Sequence, residues 1–234
     1  MVVGLCASVF ELVPSGHLHA QQVARTQPEK FAAIEGLYET KSGAPMAIFG
    51  FPVDPPPELR GAVEIPYLLS WMAFGDVHAE VRGIAAFPKE NRPPFWITFV
   101  SFHNMVILGM LFIGLMALAA LQWWRGRLFQ TRWLLRAFTL ATPLPVLACQ
   151  FGWTAAEVGR QPWIVYGLLR TADAHSVTVT AGEILFSLIL FGIVYLGLFM
   201  LWIWLLVRKI RQGPAAQPTR EPAPVPAPAA PAPG

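Results

Sequence analysis

Three stretches of this chain carry no Asp, Glu, Lys or Arg: Phe95–Trp124, Ala137–Ala156 and Ile184–Val207. A helix that crosses a bilayer needs about 20 apolar residues, so each stretch predicts one transmembrane helix. A fourth apolar run, Val2–Phe10, is too short to span. It lacks the basic start and the small-residue cleavage site of a signal peptide. Residues 1–12 are therefore expected to form the C-terminal part of a truncated transmembrane helix. The segment Glu11–Pro94 is polar and rich in Gly and Pro. Within it, Gln27–Thr40 suits a helix built around Phe31, Ile34 and Leu37, whereas the four prolines of Pro52–Pro57 cannot continue one. Eight prolines after Gly213, mostly alternating with Ala, predict an extended, disordered tail. There is no internal repeat. The pattern predicts an all-α integral membrane protein of about three full transmembrane helices plus a partial N-terminal one. A long loop is expected over 13–94, a three-helix membrane region over 95–212 and a tail over 213–234.

The basic residues orient this array. Arg125, Arg127, Arg132 and Arg136 fill the turn between the first two full spans, and Arg208, Lys209 and Arg211 follow the third. Cytoplasmic loops concentrate Lys and Arg, so both clusters and the C-terminus are expected on the cytoplasmic side. The segment before Phe95 and the loop after Trp163 then share the outer face.

Composition agrees with a membrane protein. Hydrophobic residues make up 55% of the 234, charged ones only 13%, with nine Trp and sixteen Phe. Soluble domains carry roughly 25% charged residues. The net charge of +3 records topology in such a chain, so lipid rather than nucleic acid is the expected partner. Cys6 and Cys149 lie in apolar runs without a metal-binding spacing, which argues against a zinc site or disulfide and predicts buried, inert thiols.

Three places carry candidate chemistry. The first is Gly152–Trp163, GWTAAEVGRQPW, at the end of the second span. A carboxylate there is costly unless a metal, a cation or a proton path satisfies it. If the helix runs on through Arg160, then Trp153, Glu157 and Arg160 stand at i, i+4 and i+7 on one stripe. Two readings of these residues stand side by side: an ion pair hiding both charges, or an oxygen ligand for iron with an arginine for an acidic group. The second place is Ser101–Val106, SFHNMV, in the first span. Met105 reads as packing or as a thioether ligand to haem iron. Residues two apart on a helix point about 200° apart, so His103 and Met105 cannot serve one iron from one face. His103 reads as a packing or propionate-side group. The third is Gln27–Gly36, QPEKFAAIEG, either a solvated amphipathic helix or a site where a carboxylate takes protons from a bound substrate.

Together these motifs resemble subunit I of the cytochrome bd quinol oxidases. The resemblance rests on GRQPW, on the Pro143-Leu144-Pro145 upstream of it, on Ser-Phe-His-x-Met-Val and on the QPEK start of the outer Q loop. Glu64–Tyr67 and Asp76–Glu80 are similar to the short-loop branch of that family. It implies that Met105 is one axial ligand of a low-spin b haem and Glu157 the axial ligand of a high-spin b haem. It implies that Trp153 and Arg160 lie at the haem cluster, and that Lys30 and Glu35 contribute to quinol oxidation. His103 stands where better-known members have Arg. The implied activity oxidises quinol at the outer face of a bacterial inner membrane and reduces dioxygen to water at haem d, generating a proton motive force. The implied partners are oxidase subunit II and a small single-helix subunit.

The resemblance covers only the C-terminal half of that subunit. The absent half would supply the His partner of Met105, the His ligand linked to haem d and a pair of membrane Glu residues. None of His17, His19, His78, His103 and His175 matches those ligands. This chain alone is therefore expected not to reduce oxygen, and the N-terminal half is an expected partner. An inactive orphan fragment and a non-enzymatic membrane scaffold are the rival readings.

Overall fold

The computed structural model describes residues 2–53, 58–176 and 178–213. The proline-rich tail and most of the Pro52–Pro57 cluster lie outside these residues. The chain divides into two units, 1–175 and 176–234.

In the first unit the helical path does not stop at residue 12. Helix α1 (Val2–Phe10) runs through a π-turn at Glu11–Ser15 into α2 (Gly16–Thr26). Pro14 lies inside that turn. Proline has no N–H to give, and a locally widened turn accommodates it without ending the helix. The backbone turns at Gln27, and Pro28 occupies the first position of α3 (Pro28–Glu35), where its missing N–H costs nothing.

Strand β1 (Lys41–Ser42) follows, then an antiparallel hairpin of β2 (Met46–Val53) and β3 (Glu58–Ile65). After α4 (Leu68–Phe74), β4 (Glu80–Val81) pairs back onto β1. These strands, and the pair noted below, correct the all-α expectation: the chain is mostly helical but not wholly so. Ser70 ties α4 to its neighbours, accepting from the Ala44 amide and donating to the Ala79 carbonyl, each at 2.7 Å.

Helix α3 is the centre of this unit. Phe31 and Ile34 pack with Val23, Leu69 and Val81 on one side. Ala32 and Ala33, with no bulk to separate the elements, meet Ile84 and Phe87 on the other.

Helix α5 (Phe95–Trp124) has the bounds its charge-free run predicts. The second predicted span is broken. Helices α6 (Arg132–Ala141) and α7 (Leu144–Gly159) bend by 41° at Thr142–Pro143. Pro143 and Pro145 each remove a helix donor at the break. α5 and the α6–α7 pair are each long and apolar enough to cross a membrane, the latter if the bent pair is one span. Strands β5 (Trp163–Val165) and β6 (Leu169–Arg170) form a short antiparallel pair after α7. Cys6 and Cys149 are free, but both are exposed on the chain rather than buried, because each sits on an apolar helix face that no described residue covers.

The second unit contains α8 (Ala181–Gln212), 32 residues of mean hydropathy 2.7 over its most apolar window. Thr180 and Glu183 close a reciprocal capping box at its start, satisfying amide donors that the first turn leaves free. Lys209 and Arg211 sit in its last turn, where positive charge complements the helix dipole.

Candidate functional site

Three helices meet at the C-terminal end of α7, and two glycines make the approach possible. A Cβ on Gly159 would lie 3.0 Å from Thr98 of α5 and 3.3 Å from the Lys30 side chain of α3. Two turns earlier, a Cβ on Gly152 would lie 2.8 Å from the Met105 sulfur. Met105 therefore rests its thioether in a notch of α7.

Lys30 lies along Gly159 and donates from Nζ to the Ala156 carbonyl at 3.3 Å. Carbonyls in the last turn of a helix lack intrahelical partners, and a cation there also faces the negative end of the helix dipole. Burial lowers the pKa of Lys30, the nearby Arg160 lowers it further, and Glu157 opposes both.

Glu157 and Arg160 form the ion pair that their spacing allows, Arg160 Nη2 donating to Glu157 Oε2 at 2.5 Å. Arg160 caps α7 in helical conformation, so the stripe of Trp153, Glu157 and Arg160 is preserved. Trp153 is 65% exposed and the Glu157 side chain 43%. This stripe is open, with Trp153 at one end and the Glu157–Arg160 pair at the other.

Around Lys30 lies a cleft lined also by Gln27, Glu29, Asn91, Arg160, Trp163 and Tyr166. Two of its donors, Arg160 Nε and Trp163 Nε1, are buried without a hydrogen-bond partner. Tyr166 Oη donates to Glu29 Oε2 at 2.5 Å, and burial together with Glu29 pushes the phenol up to about 12.

Glu35 does not join this cluster. It is 5% exposed, its Oε2 has no partner, and burial pushes its carboxyl up to about 8. His103 also points elsewhere. Its Nδ1 faces the Phe99 carbonyl at 3.0 Å and its Nε2 the Ala47 carbonyl at 3.1 Å, while the ring stacks on Phe99. Both nitrogens are thus directed at backbone, and the ring fastens β2 to α5.

Of the residues singled out in the sequence, the fold brings Lys30, Glu157 and Arg160 together and leaves Met105, Glu35 and His103 at separate points. Glu29 and Tyr166 are additions, and Trp163 of the GRQPW motif takes a place in the cleft. Glu29 had one signal, an acid beside Lys30 in a helix's first turn. Tyr166, at the tip of the β5–β6 turn, had none.

Among the described residues, no group of three or more His, Cys, Asp or Glu side chains converges on a metal-sized point. A bare metal site is not what this geometry offers. The orphaned Arg160 and Trp163 donors and the exposed Trp153–Glu157 face suit a flat, apolar group bearing carboxylates. That chemistry fits a haem.

These features define an integral membrane protein with an ionised cluster at one end of a packed helix pair. The chain belongs to the cytochrome bd terminal oxidase subunit I family, whose model matches residues 1–214. It is 39% identical over 227 residues to cytochrome bd ubiquinol oxidase subunit 1 of Bacillus subtilis (strain 168), covering 91% of this chain and 47% of that protein. It is 26% identical over 273 residues to cytochrome bd-II ubiquinol oxidase subunit 1 of Escherichia coli (strain K12), covering 88% and 53%. The solved bd oxidase of Geobacillus thermodenitrificans superposes with a TM-score of 0.71 at 34% identity, over 91% of this chain and 49% of that one. The chain spans about half the length of the relatives it matches.

Proposed function

We propose that this chain is the C-terminal half of a quinol-oxidising subunit I. In this reading it carries the quinol loop and ligands for two b haems, and works with an N-terminal half and subunit II in the bacterial inner membrane. The observation that carries the proposal is the junction itself. Lys30 of the loop helix sits against the end of α7 beside the Glu157–Arg160 pair. Residues suited to quinol and residues suited to haem thereby share one surface.

When bound, the low-spin b, high-spin b and d haems supply the path that carries electrons from quinol to dioxygen. The chain's own residues do the rest. Met105 and Glu157 offer a sulfur and an oxygen to iron. Met105 has three rotatable bonds, so side-chain rotation suffices to present its thioether to iron. Arg160, whose Nε is buried without a partner, would hold an acidic haem substituent, and the exposed Trp153 would supply apolar surface to the group. His103 holds the β2–β3 hairpin on α5 rather than ligating iron. Lys30 orients the quinol oxygen by donating to it.

Glu35 stands apart from the Lys30 cleft, so in this reading it receives the quinol proton by relay rather than by contact. A buried carboxyl near 8 holds a proton when the medium is more acidic and cannot accept another. Turnover at fixed quinol is therefore expected to rise as pH passes upward through about 8. Glu35→Gln should remove that limb and slow turnover by about 100-fold while haem content stays intact. A Glu35→Gln enzyme that keeps the limb would show that another group accepts the proton.

A scaffold reading has one observation in its favour: the ion pair and the Met105–Gly152 contact are complete without a cofactor. Reduced-minus-oxidised visible spectra of membranes, with and without the N-terminal half co-expressed, separate the two. Haem bands that require both halves support the oxidase. Their absence with both halves together would sink it.

A further inference from the structure

The Tyr166–Glu29 hydrogen bond joins residues 137 apart in sequence that line the same cleft as Lys30. Glu29 is 7% exposed, in the first turn of α3. Tyr166 is presented by the β5–β6 turn, which is braced from its far side. Arg170 Nη2 donates to Asn91 Oδ1 at 2.7 Å, and its guanidinium lies 4.9 Å from the Trp163 ring centroid. A braced turn delivers its hydroxyl to a fixed point, and a carboxylate this buried needs a donor there.

Lys30 is the next residue after Glu29, and its stem lies along Gly159 toward Ala156. Fixing the Glu29 side chain fixes the backbone from which Lys30 reaches. We propose that Tyr166 and Glu29 form a clamp that positions Lys30 at the end of α7, making Tyr166 a positioning residue for quinol oxidation. The inference rests on the oxidase reading above. Without the phenol, the Glu29 carboxylate is left buried without its donor, and the first turn of α3 moves outward to hydrate it. Lys30 moves with that turn and leaves its place beside Arg160.

The test uses the assembled oxidase in membranes and a short-chain ubiquinol. Tyr166→Phe should raise KM for this quinol by about 10-fold with a much smaller change in kcat. Haem bands, and oxygen uptake driven by ascorbate with a one-electron mediator dye, should stay native, because neither needs the quinol loop. Glu29→Gln keeps an acceptor for the hydroxyl and should shift KM less than Glu29→Leu does. In a Lys30→Met background, Tyr166→Phe should add no further rise. A native KM in Tyr166→Phe, or a further multiplicative rise on Lys30→Met, overturns the clamp. If Tyr166→Phe does not assemble, the Glu29 pair decides instead: equal KM shifts in Glu29→Gln and Glu29→Leu overturn it. Failure of the oxidase reading looks different, because the unsubstituted membranes would then show neither haem bands nor quinol oxidation.

Discussion

Met105→Leu is expected to erase the low-spin b haem band from reduced-minus-oxidised spectra and to bring quinol turnover down to background. Leucine fills nearly the same volume as methionine, and such swaps in packed sites cost less than about 1.5 kcal/mol. The Gly152 notch that receives the thioether would receive a leucine methyl almost as well. Folding and insertion should therefore survive, while the one atom able to bind iron at this place is gone. That contrast gives the experiment its force, because a purely packing role predicts the same stability and an unchanged spectrum. Spectra of membranes with matched amounts of subunit decide the matter. A persistent low-spin band in Met105→Leu would reduce Met105 to a side chain that seals the α5–α7 seam.

How much of this was legible in the sequence differs from element to element. Helix α5 was legible to the residue, because charge is excluded from Phe95 to Trp124 and returns at Arg125. The second span was legible as apolar but not as bent. Hydropathy counts side chains, whereas the break at Thr142–Pro143 comes from backbone donors that two prolines lack. Pro14 has the opposite effect. A proline ordinarily interrupts a helix, yet the helix absorbs this one in a π-turn and continues to Thr26. The β2–β3 hairpin left little trace. Gly50 and Pro52 interrupt β2, and its pairing with β3 shifts register twice, so no clean alternation survives.

The site divides along the same line. Glu157 and Arg160 are three residues apart on one helix, and local geometry pairs them. Lys30 reaches the same place from 126 residues away, which no local pattern encodes. Glu35 was legible as a carboxylate near Phe31 and Ile34. Its isolation from Lys30 follows from their spacing on α3, about 140° around the axis. The full depth of its burial follows only from what packs over α3.

Glu157→Gln should abolish the high-spin b haem signal and nearly all quinol oxidase activity while the protein inserts and folds normally. The reasoning turns on what the ion pair is worth. Both partners are more than a third exposed, at 37% for Arg160 and 43% for Glu157. Exposed pairs of this kind contribute roughly 0–1 kcal/mol. Gln also keeps an oxygen that accepts from Arg160 Nη2, so the end of α7 stays closed. Lys30 loses an attractive neighbour and keeps a repulsive one in Arg160, so a modest rise in quinol KM accompanies the loss. A neutral amide is a poor ligand for ferric iron, and it leaves the charge of the metal uncompensated. The spectrum and the turnover therefore respond to the lost charge, whereas the melting temperature does not. Arg160→Gln supplies the control, since it breaks the same ion pair but leaves the carboxylate free; losing its hold on the acidic haem substituent weakens the high-spin band without removing it. If the pair were only a means of hiding two charges, the two variants would behave alike and both would keep the haem signal. A high-spin band that persists in Arg160→Gln and vanishes in Glu157→Gln assigns the carboxylate to the iron.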